Sequence, residues 1–198
     1  EAVILIPENH VHNAGNGVGR DWSTGDRDQQ QHCDGIVVWA GVGSRAIAAH
    51  LGDRVNIYPV KGYSITVNLD DAHSQAAAPW VSLLDDEAKI VTSRLGRKRF
   101  RIAGTAEFNG YNLDIRDDRI RPLRAWCETF FPDVSTEHCV PWAGLRPMLP
   151  SMMPRVGPGA KPGVYYNTGH GHLGWTLSAA TAEATADIID THRMKNAA

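Results

Sequence analysis

Two glycine-rich segments are the first places in this sequence where residue type and spacing suggest chemistry. Gly41-Val42-Gly43-Ser44-Arg45-Ala46 and Gly169-His170-Gly171-His172-Leu173-Gly174 both match the pattern GxGxx[GA], each after a strand-like run and before a helix-like stretch. Glycine lets the backbone approach a ligand closely, and the free N–H groups of a helix start favour negative charge. A full dinucleotide site also needs a second strand carrying an acidic residue roughly 20 positions on, to hold the ribose. Neither loop has one. The chain ends with a helix after the second loop, and the first leads into Pro59-Val60-Lys61-Gly62. Each loop alone reads either as a ligand cradle or as a tight strand-to-helix turn. His170 and His172 form an HxH pair, but their glycine neighbours and the lack of nearby Cys, Asp or Glu argue against a metal. No Ser-His-Asp set and no paired carboxylates stand out.

The elements that must position these residues show in the hydrophobic pattern. Ile36-Val37-Val38-Trp39-Ala40 is a continuous apolar run, as for a strand covered on both faces. Arg45–Leu51 reads as a short helix closed by Gly52. Tyr63, Ile65, Val67 and Leu69 alternate with polar residues, the period of a half-buried strand. Val81–Leu84, Lys89–Leu95 and Phe100–Ala103 follow, separated by the turns Asp85–Ala88 and Gly96–Arg99, and predict an antiparallel sheet. Ile120, Leu123, Trp126, Cys127, Phe130 and Phe131 recur at helical spacing over residues 118–131. Pro122 then belongs in the first turn, and Pro132 stops the helix. Tyr165-Tyr166-Asn167 reads as a strand. Trp175 to about Ile189 reads as a helix with Leu177, Ala180, Ala184 and Ile188 on one face.

Composition narrows the class. The chain has 198 residues with 20 Lys+Arg against 22 Asp+Glu, a net charge of −2. That offers no general attraction for nucleic acid, and no aromatic-interleaved basic stripe supports one. No apolar run approaches the roughly 20 residues that span a bilayer. Three cysteines, Cys33, Cys127 and Cys139, without a CxxC pair, fit a reducing, cytoplasmic setting. Residues 1–34 read as a polar loop after the short apolar run Ala2–Ile6. The start at Glu1 suggests a piece of a longer protein. One basic cluster stands out, Arg94, Arg97, Lys98, Arg99 and Arg101, which reads as a solvated hairpin tip or as a membrane or partner contact.

Four segments occur in a telling order: Ile36-Val37-Val38-Trp39-Ala40-Gly41, Tyr58-Pro59-Val60-Lys61-Gly62-Tyr63-Ser64, Pro141-Trp142-Ala143-Gly144-Leu145-Arg146-Pro147 and Asn167-Thr168-Gly169-His170-Gly171-His172-Leu173-Gly174-Trp175-Thr176. From about Gly35 to Ile189 the chain resembles the C-terminal part of the FAD-dependent amine and amino-acid oxidoreductases, and within them the bacterial dehydrogenases that act on D-amino acids. The resemblance implies an α+β fold: an antiparallel-sheet substrate domain over 55–145, and the C-terminal part of an incomplete Rossmann-like FAD domain from 35–54 and 146–198. It implies FAD as cofactor and a missing N-terminal half that grips ADP. Arg146 would pair with the substrate carboxylate, its planar guanidinium donating two parallel hydrogen bonds. Ala40, Gly41 and the loop Gly169, His170, Gly171, His172, Leu173, Gly174, Trp175 and Thr176 would face the cofactor. Family members usually carry Gly where His172 stands. Lys61 could approach flavin or substrate, or be solvated. Glu107, Asn109 and Tyr111 could border the substrate pocket, or form a polar loop. The implied reaction is oxidative deamination of a small D-amino acid, D-alanine-like, to a 2-oxo acid and ammonia. Electrons would pass to a respiratory acceptor, with peripheral contact at the inner membrane, and the piece alone would be inactive. A glycine- or sarcosine-oxidising enzyme using oxygen, or a non-catalytic module, are the alternatives.

Overall fold

Continuous apolar runs and alternating ones produce different sheets in this chain. The structure, a computed structural model, describes residues 33–197 together with the backbone of three short strands before them. These are β1 (Val3–Leu5), β2 (Val11–Asn13) and β3 (Trp22–Thr24). There follow β4 (Gly35–Val38), α1 (Ser44–Leu51), β5 (Tyr58–Asn68), α2 (Ala72–Ala77), β6 (Leu84–Asp85), β7 (Ile90–Arg94) and β8 (Arg99–Glu107). The chain ends with α3 (Asp117–Phe130), β9 (Cys139–Met148), β10 (Arg155–Pro158), β11 (Val164–Thr168) and α4 (Gly174–Ala197). It divides into two compact units, residues 1–58 with 146–198, and residues 59–145. Among the described residues no helix is long and apolar enough to cross a membrane.

The first unit holds a sheet in the order β1-β4-β11-β10, with β1, β4 and β11 parallel and β10 antiparallel. All four residues of β4 are buried, as a parallel strand covered on both faces requires. The strand is shorter than its apolar run, because Trp39 leaves it and is exposed. Ile36, Val38, Val164 and Tyr166 pack with Ile47, Ala48 and Leu51 of α1. Gly52 closes α1 at φ +87°, the left-handed position glycine occupies without strain. Asp53 then ties the far side of the sheet, accepting from the Tyr166 hydroxyl at 2.9 Å and Ala160 N at 3.0 Å. Val3–Leu5 pairs with β4, so the apolar run at the start of 1–34 is an edge strand where the sequence reads as loop. The rest of that loop expectation lies largely outside the described residues.

Helix α4 corrects the expected apolar stripe. Thr181 and Thr185 are buried, while Ala180 and Ala184 are exposed. Each hydroxyl returns to its own helix, Thr181 to the Leu177 carbonyl at 3.0 Å and Thr185 to the Thr181 carbonyl at 2.6 Å. That internal bonding removes the cost of burying them and lets a threonine seam replace an apolar one.

In the second unit five strands run in the order β6-β7-β8-β5-β9. Tyr63, Ile65 and Val67 of β5, with Leu69 just after it, pack with Phe100 and Ile102 of β8, and α3 covers them with Ile120, Leu123 and Cys127. Each such buried side chain contributes about 1.5–3 kcal/mol. The period of two is real, but β5 is an interior strand buried on both faces rather than half-buried, and Lys61 and Ser64 are buried along with the apolar residues. Helix α3 starts at Asp117, which moves Pro122 past the first turn and into the helix body. There it cannot donate to the Asp118 carbonyl, a loss the core contacts of Ile120 and Leu123 offset. Replacing Pro122 by Ala should therefore stabilise the protein by about 1–3 kcal/mol in urea unfolding; a destabilised variant would mean the ring packs better than the lost bond costs.

Candidate functional site

The apolar row of β5 ends in a lysine. Along β5 and β8 the pairing steps from Ile65↔Ile102 to Tyr63↔Gly104 and then, across a bulge, to Lys61↔Glu107. Thr105 takes φ +71° there, a backbone conformation that a β-branched residue rarely adopts. The extra residue turns Glu107 onto the face that Ala106 would otherwise hold, opposite Lys61. The result is a buried charged cluster within the second unit. Lys61 Nζ, with 0% exposure, lies 2.9 Å from Glu107 Oε2. It donates to Asn112 Oδ1 and the Asp114 carbonyl, both at 3.1 Å. Tyr63 donates its hydroxyl to Glu107 Oε2 at 2.7 Å, and Arg116 donates to Oε1 at 3.0 Å.

Each shift in this cluster has a physical cause. Hydrogen bonds from Tyr63 and Lys61 hold the Glu107 carboxyl below its usual range, against the opposing cost of burial. Burial alone pulls the Lys61 ammonium down, but Tyr63 and Glu107 together outweigh it and leave it raised. Burial, then the bond to Glu107, pushes the Tyr63 phenol up. Lys61 is thus a charged, internally satisfied lysine. The sequence leaves it near flavin or substrate, or solvated; in the structure its three ammonium hydrogens have partners inside this unit. Glu107, expected at a pocket border, is 6% exposed and serves as the anion of the cluster. Tyr111 lies in the adjoining loop, 54% exposed.

The first unit brings together the two most specific motifs. Arg146 and Pro147 stand near the end of β9, and the Pro147 carbonyl accepts from Gly171 N at 3.0 Å. Met148 and His170 make an antiparallel bridge beside it. Gly169 and Gly171 sit at φ +79° and +58°. A Cβ on Gly171 would lie 2.5 Å from the Met148 sulfur, and one on Gly169 would lie 2.5 Å from Leu149 Cδ1. The glycines serve here chiefly through their left-handed φ, since the atoms nearest an added Cβ are the flexible ends of Met148 and Leu149. Thr168 donates to Ser44 Oγ at 2.7 Å, linking the end of β11 to the start of α1, just after Gly41-Val42-Gly43.

Both glycine loops thus leave the carboxyl ends of neighbouring parallel strands, the edge where open α/β sheets bind ligands. Gly41, at φ +56°, would place a Cβ in open space, so a side chain there would fill the room above the turn. Asn167 Oδ1, buried at the end of β11, has no hydrogen-bond partner. An anionic, planar cofactor such as FAD fits this edge. Half-exposed Ala40, the Gly169–Gly174 loop and the helix start with Thr176 would hold it. His170 Nε2 meets Thr181 Oγ1 at 3.1 Å, and burial lowers its pKa. His172 and Leu173 are exposed, and Trp175 is 95% exposed. Burial also lowers the Arg146 pKa, without threatening its charge.

The basic cluster divides. Arg94 is a clip, donating to the carbonyls of Ala78 at 2.8 Å, Gln75 at 3.1 Å, Gly96 at 2.8 Å and Arg97. Its guanidinium lies 4.5 Å from the centre of the Trp80 ring, and that of Arg101 lies 5.4 Å from Trp142. Arg97, Lys98 and Arg99 remain on the exposed tip.

A model of the FAD dependent oxidoreductase family, DAO, matches residues 3–188. The chain belongs to this family. The match begins well before Gly35, where the recognisable motifs start. The chain is 68% identical over 169 residues to D-amino acid dehydrogenase 3 of Mesorhizobium japonicum, covering 85% of this chain and 41% of that protein. It is 43% identical over 162 residues to the D-amino acid dehydrogenase of Dechloromonas aromatica, covering 81% of this chain and 38% of that one. Its fold matches glycine oxidase from Geobacillus kaustophilus with TM-score 0.76 at 17% identity, over 92% of this chain and 47% of that one. The chain therefore spans about 40% of the length of the curated relatives it matches.

Sequence reasoning missed the Lys61–Glu107 cluster, because period two places Glu107 on the wrong face. The signal that could have found it is Gly104 inside the strand, immediately before Thr105, since a lone glycine in a strand often marks a bulge. Because the Glu107 pKa is depressed by folding, its contribution is complete above the ordinary carboxylate value and fades as pH falls through the folded value. Glu107→Gln should lower the unfolding midpoint at pH 7 and flatten its fall between about pH 5 and pH 3. Parallel acid limbs in wild type and variant would remove Glu107 from the account.

Proposed function

We propose that the full-length enzyme oxidises D-amino acids, D-alanine among them, to 2-oxo acids and ammonia. The observation that carries this reading is the Gly171–Pro147 bond, which fastens the glycine loop to the strand end bearing Arg146. The names of the similar dehydrogenases support the substrate class. Arg146 binds the substrate carboxylate through two parallel, charge-assisted hydrogen bonds and so fixes the orientation of Cα. Bound FAD would supply the two-electron oxidant for that carbon. The N–H groups of the Gly169–Gly174 loop and the start of α4 favour negative charge beside them. The substrate amine enters neutral, so this chain supplies no dedicated base. Water then hydrolyses the released imino acid to the 2-oxo acid and ammonia. In this reading the chain alone is inactive, since neither glycine loop is followed by an acidic residue placed for the ribose and the rest of the polypeptide is needed to hold ADP.

The electrons go to a respiratory acceptor at a membrane surface. Support comes from the tip with Arg97, Lys98 and Arg99, and from Trp80, Val81 and Leu84 in the same unit, all more than 60% exposed. Cationic and interfacial side chains together suit an anionic bilayer. Changing the three tip residues to Glu should abolish co-flotation of the full-length enzyme with phosphatidylglycerol vesicles, while neutral vesicles capture neither form. Flotation that survives the change would move the contact elsewhere.

For the chemistry, anaerobic D-alanine should bleach the oxidised flavin of the full-length enzyme and L-alanine should not. Arg146→Ala should keep the flavin spectrum and weaken substrate binding by about 2–5 kcal/mol, on the order of 30- to 4,000-fold in half-saturating D-alanine. Unchanged saturation would reject the carboxylate role, and peroxide formation in air would replace the respiratory acceptor by oxygen.

A further inference from the structure

The turn between β10 and β11 forms the wall of a cavity that the cofactor edge does not use. The cavity measures about 400 Å³ and lies wholly within the first unit, against the last turns of α4. That volume suits a small organic ligand. The wall is fixed before any ligand arrives. Gly159 N donates to the Val164 carbonyl at 2.8 Å, Ile36 N to the Gly163 carbonyl at 2.7 Å and Ala160 N to Asp53 Oδ1 at 3.0 Å. Arg155 Nη2 donates to the Pro158 carbonyl at 2.9 Å. The cavity lies at the start of β11, whereas the Gly169–Gly174 loop leaves its other end. Along the axis of α4, His192 stands about 27 Å from Gly174.

The chemistry of the wall is unlike that of an ordinary surface hollow. Pro158 and Pro162 give apolar surface, Lys161 and His192 give nitrogen donors, and no carboxylate lines the space. Tyr165 is 7% exposed, and its ring lies 5.8 Å from that of His192, tilted by 42°. Among the described residues its hydroxyl has no hydrogen-bond partner. The neighbouring phenol, Tyr166, does have one, donating to Asp53 Oδ2 at 2.9 Å. Unlike Asn167 Oδ1, the Tyr165 hydroxyl is not sealed in the core; it opens where the residue lines the cavity. Burial pushes this phenol up, so it stays protonated and can donate. A buried donor left without an acceptor is costly, and a ligand oxygen would satisfy it.

We propose that this cavity is a further binding site, for a small aromatic carboxylate: Lys161 and the Tyr165 hydroxyl take the carboxylate, and the two prolines with the His192 ring take its flat body. The head group follows from the donors, since a cation and a phenol with no carboxylate beside them favour an anionic acceptor. The body follows from the apolar and ring surface around them. Inorganic phosphate would leave that surface uncovered, and a neutral aromatic compound would leave the Tyr165 donor unsatisfied. Because the wall is already held by backbone hydrogen bonds, little ordering accompanies binding.

The test uses full-length enzyme with its flavin bound and para-fluorobenzoate as the probe, its binding followed by fluorine NMR alongside the flavin absorbance. Probe at the cofactor edge shifts that absorbance; probe in the cavity, at the far end of α4, does not. The wild-type enzyme should therefore show a flavin-silent class of bound probe. Tyr165→Phe should weaken that class about tenfold and leave the thermal midpoint unchanged, since the hydroxyl it removes has no protein partner. Ala160→Trp, at an exposed position lining the cavity, should block the class while any flavin-visible binding persists. The neutral para-fluorobenzyl alcohol should bind there at least about tenfold more weakly than the acid. Absence of the silent class in the wild type would overturn the proposal, showing the cavity filled by the rest of the polypeptide. A silent class that neither substitution weakens would place the probe elsewhere and overturn it equally. Displacement of the probe by an equal concentration of inorganic phosphate would reduce the cavity to a plain anion site and remove the aromatic acid as its ligand.

Discussion

An ammonium group inside a protein needs a partner for every hydrogen and a counter-charge nearby, because water supplies neither there. Lys61 imposes that demand near the start of an interior strand of the second unit, directly in line with Tyr63, Ile65, Val67 and Leu69. The surrounding structure is arranged to satisfy it. Thr105 accepts a left-handed backbone so that Glu107 comes to the lysine's face of the sheet. The chain after β8 then folds back so that Asn112 and Asp114 take the remaining hydrogens, and Arg116 completes the carboxylate before starting α3. One buried charge thereby fixes a bulge, a loop and the entry to a helix.

The first unit is governed by a different constraint, the distance at which backbone can meet backbone. Pro147 and Gly171 bond directly, and the loop backbone takes left-handed φ at Gly169 and Gly171, which glycine adopts without strain. Across the sheet the Thr168–Ser44 hydroxyl pair brings the other glycine turn to the same edge. Local rigidity at this edge and an open space above Gly41 are compatible with each other, because hydrogen bonds hold the loops from below. That combination suits a cofactor face, where N–H groups must stay aimed while the ligand is absent or present.

How far these features were legible from sequence depends on their range. The strand Gly35–Val38, the helix ending at Gly52, the hairpins of the sheet and the helix near 117–130 follow from local periodicity and turn residues, and the structure contains them. The stripe on α4 did not follow, since a hydropathy pattern counts threonine as polar while its hydroxyl can be satisfied within the helix. The extent of the basic patch was misread for a similar reason. Arg94 spends its guanidinium on four backbone carbonyls, which leaves charge count a poor guide to charge exposure.

By itself the sequence determined the family, through ordered motifs whose glycines and arginine are specific in type and spacing, and it determined the two kinds of strand. These depend on residues near one another in the chain. Only the tertiary structure decided that Lys61 is buried and bound rather than free, and that Glu107 faces it. It also decided that the strand end with Arg146 and Pro147 meets the loop of Gly171. A single bulge reverses every side chain beyond it, and partners 24 to 53 positions apart meet only when the sheets close.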